Sequence, residues 1–285
     1  SDDYSWTETL MKTLCPMDVY NGDLISGISL HYYTIPGGWE NKGSATEFTS
    51  EEYYETIKKA IYIEELIRRH GNILDQYDPQ KKLGLIIDEW GSWYKVEPGT
   101  NPGFLYQQNT MRDAILAGVT LNIFNEYSDR VRMANIAQLV NVLQSVILTD
   151  GKHMILTPTY HVFDMYSMHQ NAVLLSSYLE NEEIGPDSST IPKLSHSVSL
   201  SDDGSVNLTI VNTSDTSPET VEIIPVEFNT SKIISAKILT GDMQAHNTFT
   251  APFAVTTADF TDYTINDRGI RADLPAMSIV SLKIL

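Results

Sequence analysis

The chain has 285 residues, 42% of them hydrophobic and 20% charged, which is the composition of a folded globular protein rather than a disordered one. Its formal net charge of −18 at pH 7 argues against nucleic acid or an anionic membrane as a partner, because phosphate groups are bound by clustered Lys and Arg. A single cysteine, Cys15, excludes an intrachain disulfide.

The N-terminal residues show no initiator Met, no basic region and no apolar core, so the sequence contains no recognisable signal peptide. We therefore expect the sequence to begin inside a longer protein, and it gives no indication of compartment. No apolar run approaches the length of a membrane-spanning helix.

The first 175 residues alternate predicted strands and helices. In chain order the pattern predicts a helix over 3–13, a strand over 25–34, a helix over about 50–77, a strand over 83–89, a helix over 107–127, a strand over 131–139 and a helix over 157–169. Thr49 and Glu52 form a capping-box pair at the start of the long helix. The strands and the helices that follow them make three consecutive βα units, too few to close a barrel of about eight strands.

The sequence changes character from about residue 176. Short runs of alternating apolar residues, such as Val206, Leu208 and Ile210, stand between turn signals and predict an all-β region. We expect a β-sandwich packed on the preceding domain. The predicted domains are therefore an α/β domain over 1–175 and an all-β domain over 176–285.

The most informative segment is the apolar strand from Leu83 to Trp90, which ends on two acids and an indole. Because side chains alternate along a strand, Leu85, Ile87 and Glu89 are predicted to share one face and Asp88 the other. If the apolar pair fills a barrel interior, Glu89 stands at its mouth, where barrel enzymes carry their catalytic groups. An acid that caps the following turn is the alternative, and this segment alone leaves both open.

Polar and aromatic side chains lie at the ends of the three predicted strands. The three groups are His31, Tyr32 and Tyr33; Glu89, Trp90, Trp93 and Tyr94; and Asn135 and Gln138. A carboxylate among aromatic rings, amides and imidazole is typical of a sugar site, although any one Tyr or Trp could equally belong to the core. Two further expectations are structural. The spacing of His153, His161 and His169 indicates no metal site, and Asp129 and Arg130 are expected to form an ion pair at a helix-to-strand junction.

These segments resemble the family 51 glycoside hydrolases, the α-L-arabinofuranosidases. Residues 29–33 resemble the sixth barrel strand of that family, 88–94 its nucleophile strand, 129–144 its eighth strand and the segment after it, and 156–163 its last barrel helix. The similarity runs from the first residue to about 180 and is thinner beyond, where 274–280 resembles the closing strand of the family's sandwich. Gly91 and the pair Tyr127-Ser128 depart from the residues that the family often has there.

The resemblance implies a retaining glycosidase whose chain here forms the C-terminal part of a (β/α)8 TIM barrel followed by a jelly-roll-like β-sandwich. Glu89 matches the family nucleophile. His31, Tyr33, Trp93 and Gln138 match positions that bind the arabinosyl unit or steady the nucleophile. The resemblance also implies no cofactor or metal, and a homo-oligomer.

The family's acid/base Glu lies in a Gly-Asn-Glu segment that this sequence lacks. The resemblance thus implies a further partner, the N-terminal half of the enzyme, carried by the same gene product or by a companion chain. The expected activity is release of terminal α-L-arabinofuranosyl groups from arabinose-containing oligosaccharides or polysaccharides. Two alternatives stay open: an endo-β-1,4-glucanase or xylosidase on the same scaffold, and a non-catalytic carbohydrate-binding or assembly fragment.

Overall fold

The computed structural model describes residues 2–15, 25–226 and 232–285. A three-stranded parallel sheet covered by helices comes first, and an antiparallel β-sandwich follows. The described helices are α1 (Tyr4–Leu14), α2 (Ser50–Ile61), α3 (Ile63–Tyr77), α4 (Met111–Glu126) and α5 (Pro158–Tyr166). The described strands are β1 (Gly27–Thr34), β2 (Gly84–Ser92), β3 (Val131–Ile136), β4 (Ile147–Asp150), β5 (His153–Leu156), β6 (Val173–Leu174), β7 (Glu183–Ile184), β8 (Ile191–Pro192), β9 (Leu194–Leu200), β10 (Val206–Asn212), β11 (Glu219–Ile223), β12 (Ile233–Thr240), β13 (Ala258–Asp259), β14 (Tyr263–Asn266), β15 (Gly269–Leu274) and β16 (Ser278–Ile284).

The parallel sheet has the order β1-β2-β3, with β2 hydrogen-bonded on both sides. Its helices follow its strands as predicted, so the three consecutive βα units are present. Two details differ from the sequence prediction. The helix expected over 50–77 is two helices, because the Tyr62 amide bonds the Lys59 carbonyl in a tighter turn between them. The β4–β5 hairpin, which turns at Gly151, was not predicted.

The sandwich consists of a six-stranded sheet, ordered β13-β12-β16-β10-β9-β6, and a three-stranded sheet, ordered β11-β15-β14. Apolar side chains from both sheets form one buried cluster, which includes Leu208 on β10, Ala272 on β15 and Leu282 on β16. The predicted division of the chain at 175 and 176 stays a prediction. In the structure Val173–Leu174 already lies at one edge of the six-stranded sheet, where it pairs with β9.

The six-stranded sheet packs with its other face on helices α4 and α5. Gly118 on α4 permits this close approach, since a Cβ there would lie 3.0 Å from Val211 and 3.3 Å from Ile279. Polar side chains cross the same interface: Thr209 donates to Asn122 over 3.0 Å, and His169 contacts the Thr209 hydroxyl at 3.0 Å. The two halves of the chain are thus joined by a buried interface.

A loop of the sandwich also holds the first turn of α4. The Met111 and Arg112 amides donate to the Ala245 and Met243 carbonyls at 2.9 and 3.0 Å. From the same loop, Gln244 donates to the Phe48 carbonyl at 2.6 Å. The sandwich therefore contacts both a barrel helix and the loop that follows β1.

The ion pair expected between Asp129 and Arg130 is wrong, because each side chain has other partners. Arg130 is buried and bonds Asp75 at 2.6 Å and Asp78 at 2.9 Å, while Asp129 pairs with Lys81. Burial would raise the pKa of the Asp78 carboxyl, but bonds from the Leu83 amide and Arg130 lower it below its usual value. Arg130 thereby ties the start of β3 to the end of α3.

Candidate active site

A β-bulge in β2 sets the orientation of both acids. Ser29 pairs with Ile86 while His31 pairs with Glu89, so β2 has one residue more than β1 over this stretch. Since paired residues of parallel strands share a face, Glu89 lies on the side of Ser29 and His31. Asp88 lies on that side as well, because its Oδ1 accepts a hydrogen bond from Ser29 Oγ at 2.8 Å.

The predicted sharing of one face by Leu85, Ile87 and Glu89 is therefore wrong. Leu85 pairs with Ile28, and both apolar residues of β2 are fully buried in the core that the sheet shares with the helices. The bulge shifts the alternation by one residue, which places Glu89 on the opposite, accessible face. The strand was predicted to end at Glu89, but β2 continues to Ser92, so Glu89 lies within the strand three residues before its end.

Two side chains of β1 contact the Glu89 carboxylate. Tyr33 Oη donates to Oε2 at 2.6 Å, and His31 Nδ1 lies 3.5 Å from the same oxygen. The other imidazole nitrogen of His31 lies 2.9 Å from Asp88 Oδ1. His31 thus bridges the two carboxylates of the bulge.

The phenol of Tyr33 stays protonated and is a permanent donor to Glu89. Partial burial first, and then the hydrogen bond and negative charge of Glu89, raise the pKa of Tyr33 well above its usual value. Tyr33 therefore keeps its proton at neutral pH and can donate this hydrogen bond there.

Aromatic rings continue outward from Tyr33. The Trp93 ring meets the Tyr33 ring edge-to-face at 5.1 Å, and the Trp39 ring meets Trp93 in the same way at 5.2 Å. The Trp93 amide donates to the Thr34 carbonyl at 2.9 Å, which holds the backbone of Trp93 at the end of β1. An apolar wall next to a carboxylate is the surface that a sugar ring requires.

Three other predicted rim residues, Trp90, Tyr94 and Gln138, make no hydrogen bond to Glu89 within the described ranges. Trp90 is buried and packs its ring against Phe124 and Phe163 on helices α4 and α5, and Tyr94 is buried too. Gln138 follows β3 and is exposed. Across the described ranges, the hydrogen bond and close charged contact to Glu89 come from Tyr33 and His31, and Gln138 makes neither.

Several residues of the site were missed by the sequence analysis. Trp39 and Lys42 lie on the Gly-rich loop after β1, where side chains follow no period that could have indicated them. Beneath the site, the buried Gln144 accepts from the Ser92 amide at 2.8 Å and donates to the Asp113 carbonyl at 2.9 Å. This contact spans distant parts of the sequence, and no local signal predicts it.

The described ranges contain no group of three or more His, Cys, Asp or Glu side chains that could hold a metal ion. Within the same ranges no helix has the length and hydropathy needed to cross a membrane.

Residues 88–278 match the family model of the α-L-arabinofuranosidase C-terminal domain. The chain belongs to this family. It is 41% identical over 283 residues to an intracellular exo-α-L-arabinofuranosidase of Bacteroides ovatus, an alignment that covers 99% of this chain and 54% of that protein. The resemblance to the C-terminal portion of family 51 arabinofuranosidases is thereby confirmed.

Solved arabinofuranosidase structures share the fold. The family 51 arabinofuranosidase of Xanthomonas axonopodis pv. citri is 40% identical, with a TM-score of 0.93 over 100% of this chain and 56% of that chain. The α-L-arabinofuranosidase of Thermotoga maritima, solved with arabinose, is 25% identical with a TM-score of 0.76 over the same shares. The fold class predicted from the sequence, a partial barrel followed by a β-sandwich, is confirmed. The chain spans about half the length of these relatives.

Proposed function

We propose that the complete protein is a retaining glycoside hydrolase that releases terminal α-L-arabinofuranosyl groups from arabinose-containing oligosaccharides or polysaccharides. The observation that carries the proposal is the accessible Glu89 carboxylate, which accepts a hydrogen bond at 2.6 Å from Tyr33, whose ring in turn contacts Trp93. The name of the Bacteroides ovatus relative, an exo-α-L-arabinofuranosidase, supports the choice of sugar.

In this proposal Glu89 is the nucleophile. Its ionised carboxylate attacks C1 of the arabinofuranosyl group, the bond to the leaving oxygen breaks, and a covalent glycosyl-enzyme forms. Tyr33 and His31 hold Oε2, which leaves Oε1 for the attack. Trp93 forms an apolar wall for the sugar, and Gln138 at the rim bonds sugar hydroxyls or orients Glu89 once substrate is bound.

A second carboxylic acid, about 5 to 5.5 Å from the first in retaining enzymes, protonates the leaving oxygen and then deprotonates water. We infer that the N-terminal half of the enzyme supplies this group and completes the barrel. The match of the chain to about half of each relative supports that inference. A homo-oligomer is proposed by family resemblance alone.

The test is replacement of Glu89 in the complete enzyme. Glu89→Ala should abolish turnover of a nitrophenyl α-L-arabinofuranoside, because no covalent intermediate can form. Azide should restore part of the activity and yield a glycosyl azide of inverted configuration, since azide attacks the anomeric carbon directly.

Wild-type-like activity of Glu89→Ala would contradict the assignment. Comparing arabinofuranosides with β-glucan and xyloside substrates on the wild-type enzyme separates the alternatives. Turnover of glucan or xyloside alone would favour an endo-glucanase or xylosidase, and sugar binding without any turnover would favour a non-catalytic role.

A further inference from the structure

The loop after β1 carries an exposed indole and an ammonium group beside the Glu89 site. The Trp39 side chain is 61% exposed. Lys42 Nζ lies 5.2 Å from the centre of the Trp39 ring and 5.9 Å from that of the Trp93 ring. An ammonium so close to two indole rings is attracted to both of their faces.

Lys42 has unused hydrogen-bonding capacity. Its Nζ donates to the Trp39 carbonyl at 2.9 Å, and within the described residues no carboxylate pairs with it. An ammonium group has three donors. Two N–H directions therefore remain for a ligand that approaches the Trp39 ring.

The loop is held in place at several points, so the pair is preorganised. Lys95 donates its amide to the Gly43 carbonyl at 2.9 Å, and the buried Arg112 donates to the Ser44 and Ala45 carbonyls at 2.9 and 3.2 Å. A rigid aromatic side chain binds a ligand with a small loss of conformational entropy.

The position of the pair relative to Glu89 defines its ligand. Tyr33, which bonds Glu89, meets Trp93, and Trp93 in turn meets Trp39. The Trp39 ring is thus further from the carboxylate than the Trp93 ring. Because the two rings are in contact, Trp39 extends the apolar surface proposed to bind the reacting sugar. A terminal sugar has a neighbour on one side only, the group to which it is linked.

We propose that Trp39 and Lys42 form the subsite for the leaving group, where the saccharide unit next to the reacting arabinofuranosyl group stacks on the indole and accepts hydrogen bonds from Nζ. This inference rests on the proposed function and adds its leaving-group specificity. The two residues bind the part of the substrate that departs, and they take no part in forming the bond to Glu89.

The test compares two substrates on the complete enzyme. In α-L-arabinofuranosyl fluoride the leaving group is a single atom and cannot occupy the subsite, whereas in α-1,5-arabinotriose it is a disaccharide. Trp39→Ala and Lys42→Met should each lower kcat/KM for the triose about tenfold and change it for the fluoride less than about twofold. Trp39→Tyr should recover part of the loss on the triose because it restores an aromatic face.

Tyr178→Ala is the matched control, since Tyr178 is an aromatic residue of the sandwich that is 91% exposed. It should leave kcat/KM for both substrates unchanged. Equal losses on triose and fluoride in Trp39→Ala, or no loss on either, would overturn the proposal, because Trp39 would then serve the fold or lie outside the substrate path.

Failure of the proposed function has a different signature. In that case the wild-type enzyme would turn over neither substrate, or Glu89→Gln would retain turnover of the fluoride, whatever the effect of Trp39→Ala. The wild-type enzyme could instead be active and depend on Glu89, while Trp39→Ala lowers kcat/KM for the two substrates equally. That result would contradict the subsite proposal and leave the proposed function intact.

Discussion

The two oxygens of the Glu89 carboxylate have different surroundings. Oε2 accepts the hydrogen bond of Tyr33 and lies near His31, whereas within the described ranges no hydrogen bond reaches Oε1. A carboxylate held through one oxygen is oriented without losing the lone pairs of the other. This asymmetry suits a nucleophile better than a residue that serves only to cap a turn.

The first prediction concerns Tyr33. Tyr33→Phe in the complete enzyme removes the hydrogen bond to Oε2 and should lower kcat for a nitrophenyl arabinofuranoside about 10- to 100-fold, since hydrogen bonds to charged groups contribute about 1.5–3 kcal/mol. Tyr32→Phe is the control, because the neighbouring hydroxyl donates to the Lys59 carbonyl on the other face of the sheet. Equal effects of the two variants would contradict the role of Tyr33.

The second prediction concerns Asp88, which contacts His31 and not the proposed reacting atoms. Asp88→Ala should lower kcat/KM about tenfold because it frees the imidazole to rotate away from Glu89. If Asp88 acts through His31, the double variant Asp88→Ala/His31→Ala should be no slower than His31→Ala alone. Fully additive losses in this cycle would show that Asp88 acts independently.

At the scale of single residues, the sequence indicated part of the site and missed the rest for identifiable reasons. His31, Tyr33 and Trp93 lie at or just after the ends of strands, and parallel strands bring such residues to one edge. In the structure His31 and Tyr33 contact Glu89, and Trp93 packs on Tyr33. Glu89 was assigned to the face of Leu85 and Ile87 because a β-bulge leaves no sign in an apolar pattern. Trp39 was missed because loop side chains have no periodicity.

At the scale of elements, helix α4 shows that the apolar pattern of a segment does not indicate which other elements it packs against. Its apolar residues occur around most of its surface, and most of the helix is buried. The reason is that α4 lies between the parallel sheet on one side and the six-stranded sheet of the sandwich on the other. The predicted helix was present, but its second partner could not be predicted from its own sequence.

The interface between helices and sandwich yields a prediction for pH. His169 lies against the Ser199 and Thr209 hydroxyls and the Tyr166 ring, and burial lowers its pKa from 6.5 to about 4. Between these two pH values His169 is protonated in the unfolded chain but not in the folded chain. The free energy of unfolding is therefore highest above pH 6.5 and decreases as the pH falls towards 4.

His169→Gln should abolish this part of the pH dependence. Between about pH 7 and about pH 4.5 the free energy of unfolding of the wild-type chain should fall by about 2 kcal/mol more than that of the variant. Urea unfolding at the two pH values measures the difference. Burial also lowers the pKa of His161 and His196. Both residues are present in the wild-type chain and in the variant, so their contributions to the pH dependence cancel in the comparison. Parallel pH curves for the two proteins would contradict the prediction.

On the scale of the whole molecule, three parallel strands form an open sheet whose outer strands β1 and β3 each have a free edge within the described chain. The face that carries Glu89 also exposes Met133, whose side chain is 53% exposed. An apolar exposed face and open strand edges are features that further chain normally covers.

The last prediction is that the 285-residue chain alone has no hydrolase activity, because in the proposed retaining mechanism the second carboxyl group comes from the N-terminal half. Purified chain should give no turnover of a nitrophenyl α-L-arabinofuranoside under conditions in which the complete enzyme is active. Adding the N-terminal half should restore activity. Turnover by the chain alone that disappears in Glu89→Gln would mean that the acid lies within these residues.

Architecture at this scale followed from the sequence to a large degree. The alternation of strands and helices and the change to short alternating runs predicted an α/β region followed by a β-sandwich, because each pattern reflects which faces are buried. That the α/β region is part of a barrel was implied by the family resemblance. The way the two parts pack could not be predicted. It depends on local matches such as Gly118 against Val211, which are distant in sequence and leave no periodic signal.

The hydrogen bonds that join the 241–247 loop to α4 and to the Phe48 carbonyl have a consequence for protein engineering. Deleting the β-sandwich, or replacing it with that of a distant homologue, would remove the Ala245 and Met243 carbonyls that accept from the Met111 and Arg112 amides. It would also remove the hydrogen bond from Gln244 to the Phe48 carbonyl, which supports the loop that carries Trp39. If the proposed function holds, chimeras built at the apparent domain border are therefore expected to change the preference among arabinofuranosides with different leaving groups, even though no described residue of the sandwich bonds Glu89.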